Sequence, residues 1–98
     1  MQFVIMGFDG PNMLEKRMSV RPGHLANIAR MKEKGQVIIA GGMLDEEGKL
    51  KGSVLVLKVE NKAELDEYLA NEPYYTEHVW QEVRIEPYNA VVVDNKSV

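Results

Sequence analysis

The chain of 98 residues has no cysteine. Disulfide frameworks, thiolate nucleophiles and cysteine metal sites are therefore excluded, while the compartment is left open. Histidine is scarce as well. His24 and His78 are the only two, and they lie far apart, not as a helix-spaced pair. Two isolated imidazoles do not make a metal site, so no metal or other cofactor is expected. No run of lysine and arginine is long enough to track a phosphate backbone, and the net charge is −3. Both facts argue against nucleic acid as a partner. The strands also lack the paired aromatics that stack on bases in RNP-type motifs. No apolar run approaches the roughly 20 residues of a membrane span. Met1 is not followed by the basic segment, long apolar run and small-residue site of a leader. No membrane is expected as a partner, and the expected location is the cytoplasm.

What is present is an ordinary globular balance, with 45% hydrophobic and 28% charged residues. That composition argues against disorder. The length suits one domain over residues 1–98, with 94–98 expected to fray. There are no internal repeats and no low-complexity segment.

Gln2 to Phe8 reads as a strand with apolar residues on both faces, Phe3 and Ile5 against Val4, Met6 and Phe8. Such a strand is buried on both faces. Asp9-Gly10-Pro11-Asn12 is a turn by composition. Asn12 with Glu15 resembles a capping box and predicts a short helical turn from Met13. The residue before a proline avoids the helical region, so a break is expected near Arg21. A main helix then runs from Pro22 to Lys34, its buried stripe formed by Leu25, Ile28, Ala29 and Lys32. Gln36 to Leu44 is a second strand interrupted at Gly41-Gly42, where paired glycines mark either a kink or a close approach of backbone or ligand. A polar loop over residues 45–49 makes a hairpin with a third strand, Gly52 to Val59. Asn61 with Glu64 is a second capping box. It opens a helix to about Asn71 that buries Leu65, Tyr68 and Leu69, and Pro73 stops it. Glu72 to Tyr75 reads as a loop. His78 to Tyr88 alternates as a more solvated strand, and Asn89 to Val93 can add a short one.

The order strand, helix, strand, strand, helix, strand is α+β, the ferredoxin-like split βαβ arrangement (βαββαβ) with an antiparallel four-stranded sheet. Two helices cover one face of such a sheet. The second apolar face would be a large exposed patch, which a second copy stacking sheet on sheet removes. A homodimer is expected.

The chemistry concentrates in Leu14-Glu15-Lys16-Arg17-Met18-Ser19-Val20-Arg21-Pro22-Gly23-His24-Leu25. If Pro22 opens a helix, His24 falls in its first turn. The positive dipole end there disfavours the imidazolium and leaves a neutral ring able to accept a proton. Taken on spacing alone, a histidine in a first turn is more often a surface residue, and the two arginines more often solvated. Ser53 can turn its hydroxyl to a pocket or satisfy nearby backbone. Tyr74 and Tyr75 can wall a pocket for a planar ligand or anchor their own loop.

The same stretch resembles the signature of the YCII-related family. Ala40-Gly41-Gly42-Met43, Gly52-Ser53 and Glu72-Pro73-Tyr74 fit in order, so the resemblance spans Met1 to about Tyr88. It implies small dimeric proteins of ferredoxin-like fold, joined in an α/β-barrel-like assembly. The family's pattern has Asp-Pro where this chain has Glu72-Pro73, and that aspartate is held to pair with the histidine. Glu72 keeps the carboxylate and adds a methylene. The resemblance thus implies a small-molecule enzyme with His24 as base or acid and Glu72 orienting its ring. Arg17, Arg21, Ser53 and Tyr74 are the substrate-binding candidates, an arginine holding an anionic group or a developing enolate. The chemistry implied is proton transfer at an activated carbon, as in an isomerase, lyase or dehalogenase, without a metal. The alternative is a non-catalytic module that binds a small ligand or a protein through the same pocket, which the glutamate slightly favours.

Overall fold

The structure is a computed structural model and describes all of residues 1–98. In chain order the elements are β1 (Gln2–Asp9), α1 (Leu14–Glu33), β2 (Val37–Leu44), β3 (Leu50–Lys58), α2 (Lys62–Ala70), α3 (Pro73–Thr76), β4 (Trp80–Tyr88), β5 (Val92–Val93) and β6 (Lys96–Ser97). The main sheet has the order β2-β3-β1-β4, and each neighbouring pair is antiparallel. This is the ferredoxin-like topology, with α3 as a short addition.

Register decides what the sheet buries. Phe3 pairs with Leu57 and Ile5 with Leu55, and directly paired residues share a face. These four join Met31 of α1 and Leu65, Tyr68 and Leu69 of α2 in one core. Each such side chain, fully buried, contributes roughly 1.5–3 kcal/mol. The alternate residues Val4, Met6 and Val54 are only half-buried, so the helices cover one face. Ile39 lies on that open face, opposite Val56, and is 61% exposed.

Several expectations are corrected. Pro22 does not open a helix. It lies inside α1, which runs through 20 residues without a break. The proline removes one backbone donor and costs the helix about 3 kcal/mol, but residues 18–22 are largely exposed and water can reach the freed carbonyl. The helix face is also rotated from the expected stripe. Arg17, His24, Asn27 and Met31 are buried, whereas Leu25, Ala29 and Lys32 are exposed. Three of the four buried residues are polar with partners on other elements, so apolar periodicity could not mark this face.

Asn12 is not a cap. Its φ of 59° is left-handed, and Met13 takes the cap position without a side-chain bond. Gly41-Gly42 does not interrupt β2. Gly41 pairs with Val54 and Gly42 with Ser53, and the irregularities fall on either side, at Val37/Ile39 and Met43/Leu44. A Cβ at Gly42 would strike the Leu50 side chain, which accounts for glycine there. Pro73 does not merely stop α2. It is the first residue of α3, whose N-cap is Glu72. The tail, expected to fray, folds back instead. Val92 pairs with Ser97 and Val93 with Lys96, around Asp94 and Asn95 at φ 50° and 67°. The Ala90 N–H donates to Gln2 Oε1 at 2.8 Å, holding this hairpin near the open face. Between hairpin and sheet lies a groove of about 340 Å³ lined largely by Ile38, Ile39, Val56, Tyr88 and Val91 to Val93.

Candidate active site

The site begins with the phase of α1. Arg17, Arg21, His24, Ile28 and Met31 recur at spacings of four and three, which places them on one helix face. His24 sits mid-way along the helix, not in a first turn, so the dipole has no special hold on its ring.

Opposite it stands Glu72. The α2–α3 junction is drawn onto α1 at Gly23, where a Cβ would lie 3.3 Å from Pro73 Cγ. This close approach brings the Glu72 carboxylate to the imidazole. Glu72 is completely buried, and a buried carboxylate needs donors. It has three. Tyr68 Oη–H donates to Oε2 at 2.8 Å. The Tyr74 N–H donates to Oε1 at 3.1 Å. His24 Nδ1 lies 2.6 Å from Oε1. With Glu72 ionised and the ring neutral, the proton between them sits on Nδ1, because an ionised carboxylate only accepts, and Nε2 keeps its lone pair. Burial pushes the Tyr68 phenol well above the ordinary tyrosine range, and the facing Glu72 charge pushes it the same way. Tyr68 is thus a fixed donor.

A second polar cluster surrounds Arg17. Its Nη1 donates to both Asp9 oxygens, at 2.8 and 2.9 Å. Its Nη2 donates to the Gly52 carbonyl at 3.0 Å and to Ser53 Oγ at 2.6 Å. Only Nε is left without a partner. Burial raises the Asp9 carboxyl above its usual value, outweighing the attraction of Arg17.

Tyr74 contacts both clusters. The His24 ring stacks on it with centroids 4.0 Å apart and planes 21° apart. The Arg17 guanidinium carbon lies 4.4 Å from the same centroid. Tyr74 thus contacts both a cation and an imidazole. Trp80 meets it edge-on at 5.9 Å. Burial raises the Tyr74 phenol too, against the pull of Arg17 and Arg21.

A cleft of about 240 Å³ opens here. His24, Tyr74 and both arginines line it, with Leu25, Ile28 and Leu50 as apolar walls and Gly41-Gly42 along the strand side. The volume lies below the roughly 300 Å³ at which drug-sized pockets begin, and suits a single ring. Of the six sequence candidates, four therefore meet at the cleft. Glu72 stands behind His24, and Ser53 stands behind Arg17. No group of three or more His, Asp or Glu side chains gathers where it could hold a metal ion.

The comparisons bear on this arrangement. The YCII-related domain matches residues 1–89. The chain belongs to the YCII-related family. Two relatives extend the YCII-related match over nearly the whole length. An uncharacterised protein of Haemophilus influenzae is 31% identical over 97 residues, covering 93% of this chain and 99% of the relative. Protein YciI of Escherichia coli is 29% identical with the same coverage. Among solved structures, 5-chloro-2-hydroxyhydroquinone dehydrochlorinase (TftG) of Burkholderia phenoliruptrix, in complex with 2,5-dihydroxybenzoquinone, superposes with a TM-score of 0.80 over 91% of this chain and 94% of that one, at 22% identity. The fold of this YCII-related chain is thereby shared with a small-molecule enzyme.

Two residues of the site escaped the sequence reading. Tyr68 passed as one of the apolar residues of α2, although it precedes Glu72 by four, the spacing of one helical turn. Asp9 passed as part of a turn. Its pairing with Arg17 depends on how α1 returns along β1, and no local spacing announces it.

Proposed function

We propose that the protein is a cytoplasmic homodimeric enzyme that moves a proton at an activated carbon of a small ring-shaped substrate, with His24 as the base. The observation that carries this reading is the His24 Nδ1 to Glu72 Oε1 distance of 2.6 Å at a fully buried carboxylate. It leaves Nε2 as the free ring nitrogen of a residue that lines the cleft. Nε2 takes the proton from the substrate carbon, and the C–H electron pair passes to a conjugated oxygen or expels a leaving group with its electrons. The imidazolium so formed pairs with Glu72, as an orienting carboxylate does in other base-assisted sites. The proton returns to product or solvent. The likeness to TftG suggests hydroxylated rings as substrates and elimination as one form of the chemistry, an analogy at the level of fold.

The test is to incubate the protein in D2O with a panel of hydroxylated and halogenated aromatics. Proton NMR follows C–H exchange, and an electrode follows halide release. Exchange or release that is lost in His24→Asn, with binding retained, supports the enzyme. Compounds that bind the wild type and neither exchange nor lose halide make the protein a binding module.

The dimer rests on the open face. Half-buried Val4, Met6, Phe8 and Val54 lie there, and β4 adds Glu82, Arg84 and Glu86, opposite Phe8, Met6 and Val4. An arginine between two glutamates is self-complementary when the same face meets itself about a twofold axis. Arg84→Glu makes that row uniformly acidic and is expected to give monomers in light scattering. A wild type that is already monomeric at micromolar concentration contradicts the dimer.

A further inference from the structure

Three basic groups meet at the cleft, and they differ in what already balances them. Asp9 holds Arg17 through two hydrogen bonds. Glu72 stands 2.6 Å from His24 and balances it whenever the ring is protonated. Arg21 has neither. It is exposed, its side chain makes no hydrogen bond or ion pair with any protein group, and it lines the same cleft as His24 and Tyr74. No aspartate or glutamate lines that cleft. Arg21 follows Arg17 by four and precedes His24 by three, so its side chain rises from the same helix face. The Tyr74 hydroxyl also has no protein partner. Tyr74 lines the cleft, and its hydroxyl, kept protonated by the burial of the ring, is free to donate.

These placements separate two arginines that the sequence could not tell apart. Both η nitrogens of Arg17 are engaged by the protein, so Arg17 cannot also grip a ligand with its fork. The fork of Arg21 is free, and it matches an anionic oxygen bidentately. Resting on the proton-transfer reading of the cleft, we infer that Arg21 is the specificity-determining residue of this site and recognises the oxyanion of a ring-borne enolate or phenolate, with the Tyr74 hydroxyl as its second donor. Removal of a proton by His24 puts negative charge on a conjugated oxygen. A cation placed at that oxygen binds the ionised form more tightly than the neutral one, which is the differential binding that speeds such a step. In water an exposed arginine gains little from one charge. A ring that fills the cleft displaces that water and strengthens the attraction.

The probe is 4-nitrophenol, whose ionised form is read by absorbance without any turnover. Bound to the wild type, it is expected to ionise about one pH unit lower than free in solution, a tenfold preference for the anion. Arg21→Gln is expected to abolish that shift, and Arg21→Lys to keep part of it, since the charge remains and the fork is lost. Arg30→Gln, which removes a charge from the same helix away from the cleft, is expected to leave the shift unchanged. The inference is overturned if the dye does not bind, if it binds without a shift, if Arg21→Gln keeps the shift, or if Arg30→Gln removes as much. Because His24→Asn leaves Arg21 in place, it should retain the shift. A wild type that shows the shift but exchanges no proton on any compound keeps this inference and sinks the catalytic reading.

Discussion

Two buried polar pairs meet at Tyr74, and they are built to opposite ends. In the Arg17 cluster both terminal nitrogens are held, one by Asp9 and the other by Gly52 and Ser53. That cluster ties the end of β1 and the start of β3 to α1, and it offers a ligand little. In the His24 cluster the carboxylate is saturated by Tyr68, Tyr74 and Nδ1, yet the imidazole keeps its second nitrogen. A charged residue at a cleft is therefore not a reagent by position alone. The difference lies in which partner is saturated, the group at the cleft or the group behind it.

The comparison breaks most readily at Arg17. Arg17→Met leaves Asp9 buried without its cation, and the loss is expected at about 3–5 kcal/mol in urea unfolding. Combined with Asp9→Leu the loss should be smaller than with Arg17→Met alone. A variant of native stability that had merely lost ligand binding would put Arg17 on the acting side. Glu72→Gln comes next. It keeps the shape but turns one carboxylate oxygen into a donor facing donors, at about 1–3 kcal/mol, and the proposed proton transfer should fall by about 10²–10⁴-fold. Here activity should suffer more than stability, the reverse of Arg17.

Tyr68→Phe removes a single donor to Glu72 and is expected to cost about 1 kcal/mol, read from thermal unfolding. Tyr68 also sets a pH limit. Its phenol is raised in the folded protein, as is that of Tyr74. Above the ordinary tyrosine value of about 10 the unfolded chain releases these protons while the folded chain keeps them. The stability they contribute is complete below that value and falls as pH climbs past it. Urea midpoints measured between pH 9 and 11 should decline, and less steeply in Tyr68→Phe. The smallest effect is expected at Gly23→Ala. Helix propensity gains up to about 1 kcal/mol, while the new methyl presses on Pro73 at 3.3 Å. Net stability should change little, and the displacement should appear in the imidazole signals of His24.

The fold was legible because the strands and helices follow one another in the required order, because β1 and β3 are apolar on both faces, and because β4 alternates. The Asn61 cap was legible too, and its side chain accepts the Glu64 N–H at 3.0 Å. The site was legible in its residues and not in its geometry. Pro22 points to a helix start, but tertiary contacts carry α1 through it, which moves His24 from the first turn to the middle. Arg17, His24 and Asn27 are polar residues on a buried face, so hydrophobic periodicity picked the wrong stripe. Glu72 was legible as a carboxylate beside a proline. That this proline starts a helix and makes Glu72 its cap depends on α3 docking against Gly23. Ser53 was legible as a hydroxyl near a pocket, and the structure turns it to Arg17.

The most direct measurement is the tautomer of His24, read by nitrogen-15 NMR of the two imidazole rings at a pH where His24 is neutral, with Glu72→Gln alongside. The geometry predicts that in the wild type Nδ1 is protonated and Nε2 is bare, and that Glu72→Gln weakens this preference. A neutral ring in the wild type with its proton on Nε2 would contradict it, because the nitrogen facing the cleft would then have no lone pair with which to take a proton.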